Sequence, residues 1–168
     1  MTTFMVTNGT YPDRLAELDT LPMQLYVTVA APNEEIYRQV CRPKIPDGWQ
    51  RLMRTLEMLP TLETRTVIRH TLVKDVNFGW VDDYAALDRI ADPDLVEPKG
   101  YVFVGSSRMR LSMSCMPSFA EIRDFSRQLG DRIGMEIVKE REDSRVVLLG
   151  HPGEELDVRK IYGLEPEN

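Results

Sequence analysis

Residues 65–73 read RTVIRHTLV, and the fold turns on how this stretch is built. In an extended chain, alternate side chains point to opposite faces. Arg69 and Thr71 then share one face, and Ile68, His70 and Leu72 share the other. A strand covered by helices on both sides would be apolar throughout. This one is apolar on one side and hydrophilic on the other, and His70, on the apolar parity, reads as a packed histidine.

The neighbouring segments repeat the pattern. In residues 23–30 (MQLYVTVA), Gln24, Tyr26 and Thr28 oppose Leu25, Val27 and Val29. In residues 95–104 (LVEPKGYVFV), Glu97, Lys99 and Tyr101 oppose Val96, Pro98, Gly100 and Val102. Residues 2–7 (TTFMVT) form an earlier strand that ends at the turn signal Asn8-Gly9. Helical segments lie between and after these strands: a short one at 12–18, then 34–41 capped by Asn33, and 49–59 opened by an Asp47–Gln50 capping box. Two more follow at 81–91 and at 118–129, the latter opened by the capping box Ser118-x-x-Glu121. Residues 135–141 and 145–149 are two short closing strands. The polar tail from 151 to 168 reads as peripheral to a domain of residues 1–150.

Strand–helix–strand alternation predicts parallel strands joined by crossover helices. Two explanations suit the recurrent polar face: the interior of a (β/α) barrel that carries a site, or edge strands that meet water. The barrel interior is preferred, because successive strands share the feature. A closed eight-fold barrel takes about 250 residues, so 168 residues predict a partial, open TIM-like α/β barrel lacking its first units.

Composition narrows the function classes. The chain is 42% apolar and 29% charged, as a globular domain is. A net charge of −6 argues against a general nucleic-acid binder. No apolar run reaches the ~18 residues of a membrane helix, and no secretory signal opens the chain, so a cytoplasmic setting without membrane contact is expected. Cys41 and Cys115 have no metal-ligand spacing and read as free, mostly buried thiols. No metal ligand is identified.

Sites in parallel α/β sheets lie at the carboxyl ends of the strands. The polar candidates there are Thr7, Asn8, Thr28, Thr71, Lys74 and Asn77, then Glu97, Lys99 and Ser107. Each also has a local reading as a turn or cap residue; their recurrence after successive strands favours a ligand. Lys99 has two readings, an ion pair with Glu97 or a Schiff-base nucleophile of an aldolase or lyase. Arg42 and Lys44, and Arg108 and Arg110 in the loop after the fourth strand, are either solvated charges or phosphate contacts.

An ordered set of segments resembles the archaeal tRNA 4-demethylwyosine synthases, radical S-adenosylmethionine enzymes of the wybutosine pathway. It runs from Phe4-Met5-Val6-Thr7-Asn8-Gly9-Thr10 and Gln24-Leu25-Tyr26-Val27-Thr28-Val29 through Ile45-Pro46-Asp47-Gly48-Trp49 to Arg65–Lys74. It continues with Ser107-Arg108-Met109-Arg110-Leu111, Met116-Pro117-Ser118 and Ser144-Arg145-Val146-Val147-Leu148. The resemblance implies a lyase of tRNA processing that condenses 1-methylguanosine-37 of tRNA(Phe) with a two-carbon unit from pyruvate, using S-adenosylmethionine and 4Fe-4S clusters. It places Thr7, Asn8, Thr28, Thr71, Lys74 and Asn77 toward S-adenosylmethionine. Arg42, Lys44, Glu97, Lys99, Ser107, Arg108 and Arg110 fall on the substrate and tRNA side. The family's CxxxCxxC cluster motif is absent from these residues. The chain is therefore expected to be inactive alone, as the C-terminal portion of such an enzyme or a tRNA- or partner-binding half of a split one whose partner is the N-terminal barrel half.

Overall fold

The structure, a computed structural model, describes residues 2–163. Its strands are β1 (Phe4–Thr7), β2 (Gln24–Thr28), β3 (Arg65–Leu72), β4 (Leu95–Gly100), β5 (Glu136–Arg141) and β6 (Val146–Gly150). Its α-helices are α1 (Pro12–Ala16), α2 (Glu34–Cys41), α3 (Gly48–Met58), α4 (Val81–Ala91), α5 (Phe119–Ile133) and α6 (Val158–Ile161). They build one mixed sheet in the order β1-β2-β3-β4-β6-β5.

β1 to β4 pair in parallel, as the crossover helices require. The two short closing strands depart from this parallel arrangement. β6 runs antiparallel to both β4 and β5. The segment between β5 and β6 is too short for a crossover and turns back through Arg145 in the left-handed region (φ 48°). The hairpin then inserts β6 beside β4. The fourth strand is also shorter than expected, because after Gly100 the chain leaves the sheet and the Tyr101 hydroxyl meets Ser107 Oγ at 2.8 Å.

Apolar parity puts Leu25, Val27, Ile68, Leu72, Val96, Val147 and Leu149 on one face. They form a single core with Leu52 and Leu56 of α3, Tyr84 and Ala85 of α4, and Ile122, Phe125 and Leu129 of α5. His70 joins this face fully buried, with Nδ1 3.0 Å from the Val29 carbonyl and Nε2 2.9 Å from Asp88. The opposite face stays open over much of its length. Residues 154–162 cross it at the amino-terminal end of β3.

Local signals act with mixed success. Asn33 caps α2 through Ile36 N, and Ser118 and Glu121 form the expected capping box. The Asp47 box does not form, because its carboxylate takes the Arg51 guanidinium at 2.8 Å instead. At the Asn8-Gly9 turn, Gly9 has φ +69°, and an added Cβ would lie 2.8 Å from Leu52 Cδ1, so only glycine suits it. Cys41 and Cys115 are free, but neither is fully buried.

The Ser118 box is tied to the segment just after β3 by Lys74 Nζ, 2.7 Å from Glu121 Oε1. Lys74, and then the Ser118 backbone N–H and hydroxyl, hold the Glu121 carboxyl down at about 2, against an ordinary 4.5. A depressed acid stabilises the fold above its unfolded value and loses that contribution as pH falls through its folded one. Both partners are partly exposed, so Glu121→Gln should cost no more than about 1 kcal/mol at neutral pH. Urea midpoints should show the cost fading between pH 4.5 and 2, where the wild type loses it.

Candidate functional site

Register makes a site out of single residues. Arg69 lies opposite Thr28 on β2 and Glu97 on β4, and Thr71 lies opposite Lys99. The polar faces of three adjacent strands therefore form one surface. At its centre Arg69 Nε donates to Glu97 Oε1 at 2.6 Å, and the Arg69 guanidinium carbon sits 4.7 Å from the centre of the Tyr26 ring. Gln24 Nε2 donates to the Tyr26 hydroxyl at 2.8 Å. Burial, then the nearby Glu97 charge, raise the Tyr26 phenol above its ordinary value, so it stays a neutral donor. Glu97 is thus paired across the sheet to Arg69 and not along its strand to Lys99.

Two hollows flank this row. One, of about 580 Å³, lies over the open face between Phe4, Val6, Gln24, Tyr26 and Arg69 and the crossing segment at Asp157 and Val158. The other, of about 390 Å³, lies at the carboxyl ends of β2 and β3. It gathers Arg42, Thr71, Ser107 and Arg110, with Tyr101 and Val73 beneath. Four residues nominated from three separate segments of sequence thus meet at one mouth.

The other candidates fall as follows. Thr28, Thr71 and Lys99 make no side-chain hydrogen bond or ion pair among the described residues, and so present free hydroxyls and a free amine on the open face. Thr7 Oγ1 accepts from Gly9 N, and Asn8 Oδ1 accepts from Thr10, so both hold the turn after β1. Lys74 is committed to Glu121. Asn77 is buried; it accepts from Val73 N and donates to the Ala30 and Thr71 carbonyls, so it shapes the mouth from behind. Arg108 stacks 5.2 Å from the Phe103 ring, and Lys44 is exposed. The sequence candidates omitted Gln24, Tyr26 and Arg69, which the register places at the centre. The signal was the shared parity of Arg69 and Thr71, one step short of the pairing.

Among the described residues no group of three or more His, Cys, Asp or Glu side chains is placed to hold a metal ion. A four-iron cluster open to a ligand needs three thiolates, and this chain has two cysteines, on α2 and in the loop ahead of α5. Its residues do not fit a cluster by themselves. No helix among the described residues is long and apolar enough to cross a membrane.

Residues 90–151 match the family model for wyosine base formation. The chain is 51% identical over 152 residues to the S-adenosyl-L-methionine-dependent tRNA 4-demethylwyosine synthase of Pyrococcus abyssi, covering 88% of this chain and 44% of the relative. The structure of TYW1 with a lysine–pyruvate adduct bound superposes with a TM-score of 0.82 at 30% identity, covering 94% of this chain and 50% of that one. The radical SAM enzyme coproporphyrinogen III oxidase from Escherichia coli shares the fold, with a TM-score of 0.56 at 17% identity, over 95% of this chain and 37% of its own. Ordered sequence match and superposition agree: over most of its length the chain is similar to the tRNA 4-demethylwyosine synthases, and it spans about half the length of the relatives it matches.

Proposed function

We propose that this chain supplies one side of an open radical S-adenosylmethionine barrel that makes 4-demethylwyosine from 1-methylguanosine-37 of tRNA(Phe) and a two-carbon unit of pyruvate. The observation that carries the reading is the one-sided sheet. Helices α2 to α5 cover one face, and the other presents the joined row of Tyr26, Arg69 and Glu97, with Lys99, unpaired among the described residues, beside it. In this reading that face is the barrel lumen, residues 1–150 are the barrel portion and 151–168 a peripheral tail.

The donors suit the implied cofactor. A ribose and an amino-acid carboxylate call for hydroxyl, amide and cationic groups, which Thr28, Thr71, Asn8 and Lys99 provide near the carboxyl ends of the strands. S-adenosylmethionine would supply the radical. The side chains' part is to bind it, orient the substrate and keep water away. Arg42, Lys44, Arg108 and Arg110, at or near the mouth, are the tRNA side, where phosphate contacts position the substrate. The adduct in the TYW1 neighbour supports pyruvate as the second substrate. The cluster has to come from outside these residues, so the chain alone is inactive. A cytoplasmic setting follows from tRNA modification.

The test is a chimera in which this chain replaces the matching 44% of the Pyrococcus abyssi enzyme. It should form 4-demethylwyosine in tRNA carrying 1-methylguanosine-37, while the isolated chain takes up no iron and forms none. A folded, cluster-loaded chimera without product would overturn the reading. A borohydride-trapped pyruvate adduct at Lys99 of the isolated chain would favour the lysine-dependent lyase instead.

A further inference from the structure

Arg65 stands at the amino-terminal end of β3, on the open face, with its side chain 3% exposed. A buried guanidinium needs partners for its five donors. Its backbone N–H donates to the Tyr162 hydroxyl at 3.3 Å, and Nη1 donates to the Leu156 carbonyl at 3.2 Å. Nε and Nη2 are buried without a hydrogen-bond partner. Those two donors form the side-on fork that takes a carboxylate through two parallel bonds. Glu154 Oε1 lies 3.7 Å from Nη2, close enough for attraction and too far for a hydrogen bond.

We propose that residues 154–162 are a strap that Arg65 latches over the lower end of the open sheet face, and that Glu154 completes the latch by closing onto the free fork. The occupant of the fork is this chain's own carboxylate. A hollow of about 350 Å³ beside Arg65 is lined by Glu63, Asp94 and Glu154, so a free anion would meet three negative charges there. Asp94 is already bound to Thr66 through the backbone N–H at 2.6 Å and the hydroxyl at 3.0 Å. Glu154 lies on the strap itself.

The strap governs access. Asp157 and Val158 form one wall of the 580 Å³ hollow whose floor is Phe4, Tyr26 and Arg69. With the latch closed, the groove is shut at its lower end. With Glu154 withdrawn, the strap keeps only one carbonyl and one hydroxyl bond to Arg65, and the groove opens to water from below. The latch rests on these contacts and not on the reaction proposed above.

Amide hydrogen exchange on the full chain tests it. The Ile161 and Tyr162 amides donate to Asp157 and Val158, and they should be protected in the wild type. Glu154→Gln, which keeps the shape and removes the charge, should speed their exchange about tenfold and leave β2 and β3 amides unchanged. Tyr162→Phe should act in the same direction through the lost hydroxyl. Strap amides that exchange at the unprotected rate in the wild type, or equally fast in wild type and Glu154→Gln, would overturn the proposal.

Discussion

Asp88→Asn should reverse the sign of the pH dependence that His70 contributes to stability, and Asp88→Ala should cost about 3 kcal/mol. His70 is fully buried, with a carbonyl 3.0 Å from one ring nitrogen and a carboxylate 2.9 Å from the other. Acceptor oxygens at both ring nitrogens favour the form in which each nitrogen carries a proton, an imidazolium beside Asp88. Burial alone would push its pKa down. The Asp88 charge and hydrogen bond, with the Val29 carbonyl, overcome this and hold it above the ordinary 6.5. A raised pKa gives stability that is complete below the unfolded value and is lost as pH rises through the folded one. In the asparagine variant the side-chain amide donates to Nε2, the ring stays neutral, and burial sets the direction. Stability is then lost as pH falls below 6.5. Urea midpoints from pH 5 to 9 should slope in opposite directions. The alanine variant loses the pair and leaves a gap beside Tyr84, whose ring centre lies 4.4 Å from that of the imidazole at a tilt of 53°. The double variant His70→Leu/Asp88→Leu should recover most of that loss, because apolar packing replaces a buried pair at little cost. Parallel slopes for wild type and Asp88→Asn would mean that His70 is neutral in both.

Elements governed by local chemistry were legible in the chain. The bounds of α2 and α4 coincide with the expected segments, because a 3.6-residue period, and in α2 the Asn33 cap, act within a few positions. The one-sided polarity of β2, β3 and β4 was equally plain from a period of two. Properties that depend on pairing were not. Arg69 and Glu97 are 28 positions apart and meet only because β3 and β4 are neighbours in register. From a single strand, Glu97 looks nearer to Lys99. The antiparallel insertion of β6 is a tertiary choice, since a hairpin can add to a sheet edge in either order. The tail read as peripheral because its residues are polar. Its hold on Arg65 runs through one backbone carbonyl and one tyrosine hydroxyl, which hydrophobic patterning cannot reveal.

Arg69→Met in the chimera should lower 4-demethylwyosine formation at least a hundredfold, and in the isolated chain it should cost about 3 kcal/mol. The Glu97 side chain is 12% exposed and its hydrogen-bond partner is Arg69. Removing the guanidinium leaves that carboxylate unpaired in a low-dielectric wall and strips the cation from the Tyr26 face. Arg69→Lys should rescue little, since an ammonium reproduces neither the planar stack nor the directed Nε–H bond. Glu97→Gln retains an acceptor for Arg69 and should be the mildest of the three in stability. Comparing the two readouts separates sheet glue from site. If the row only holds strands together, product formation will follow the folded fraction across all three variants, and Arg69→Met restored to full folding at lower temperature will regain activity. If the row lines the lumen, the folded Arg69→Met chimera will bind tRNA through the mouth arginines with near-normal affinity and still make little product. The loss would then lie in kcat, as expected if Arg69 sets the floor for substrate and cofactor and the proposed tRNA contacts at Arg42, Lys44, Arg108 and Arg110 are left intact.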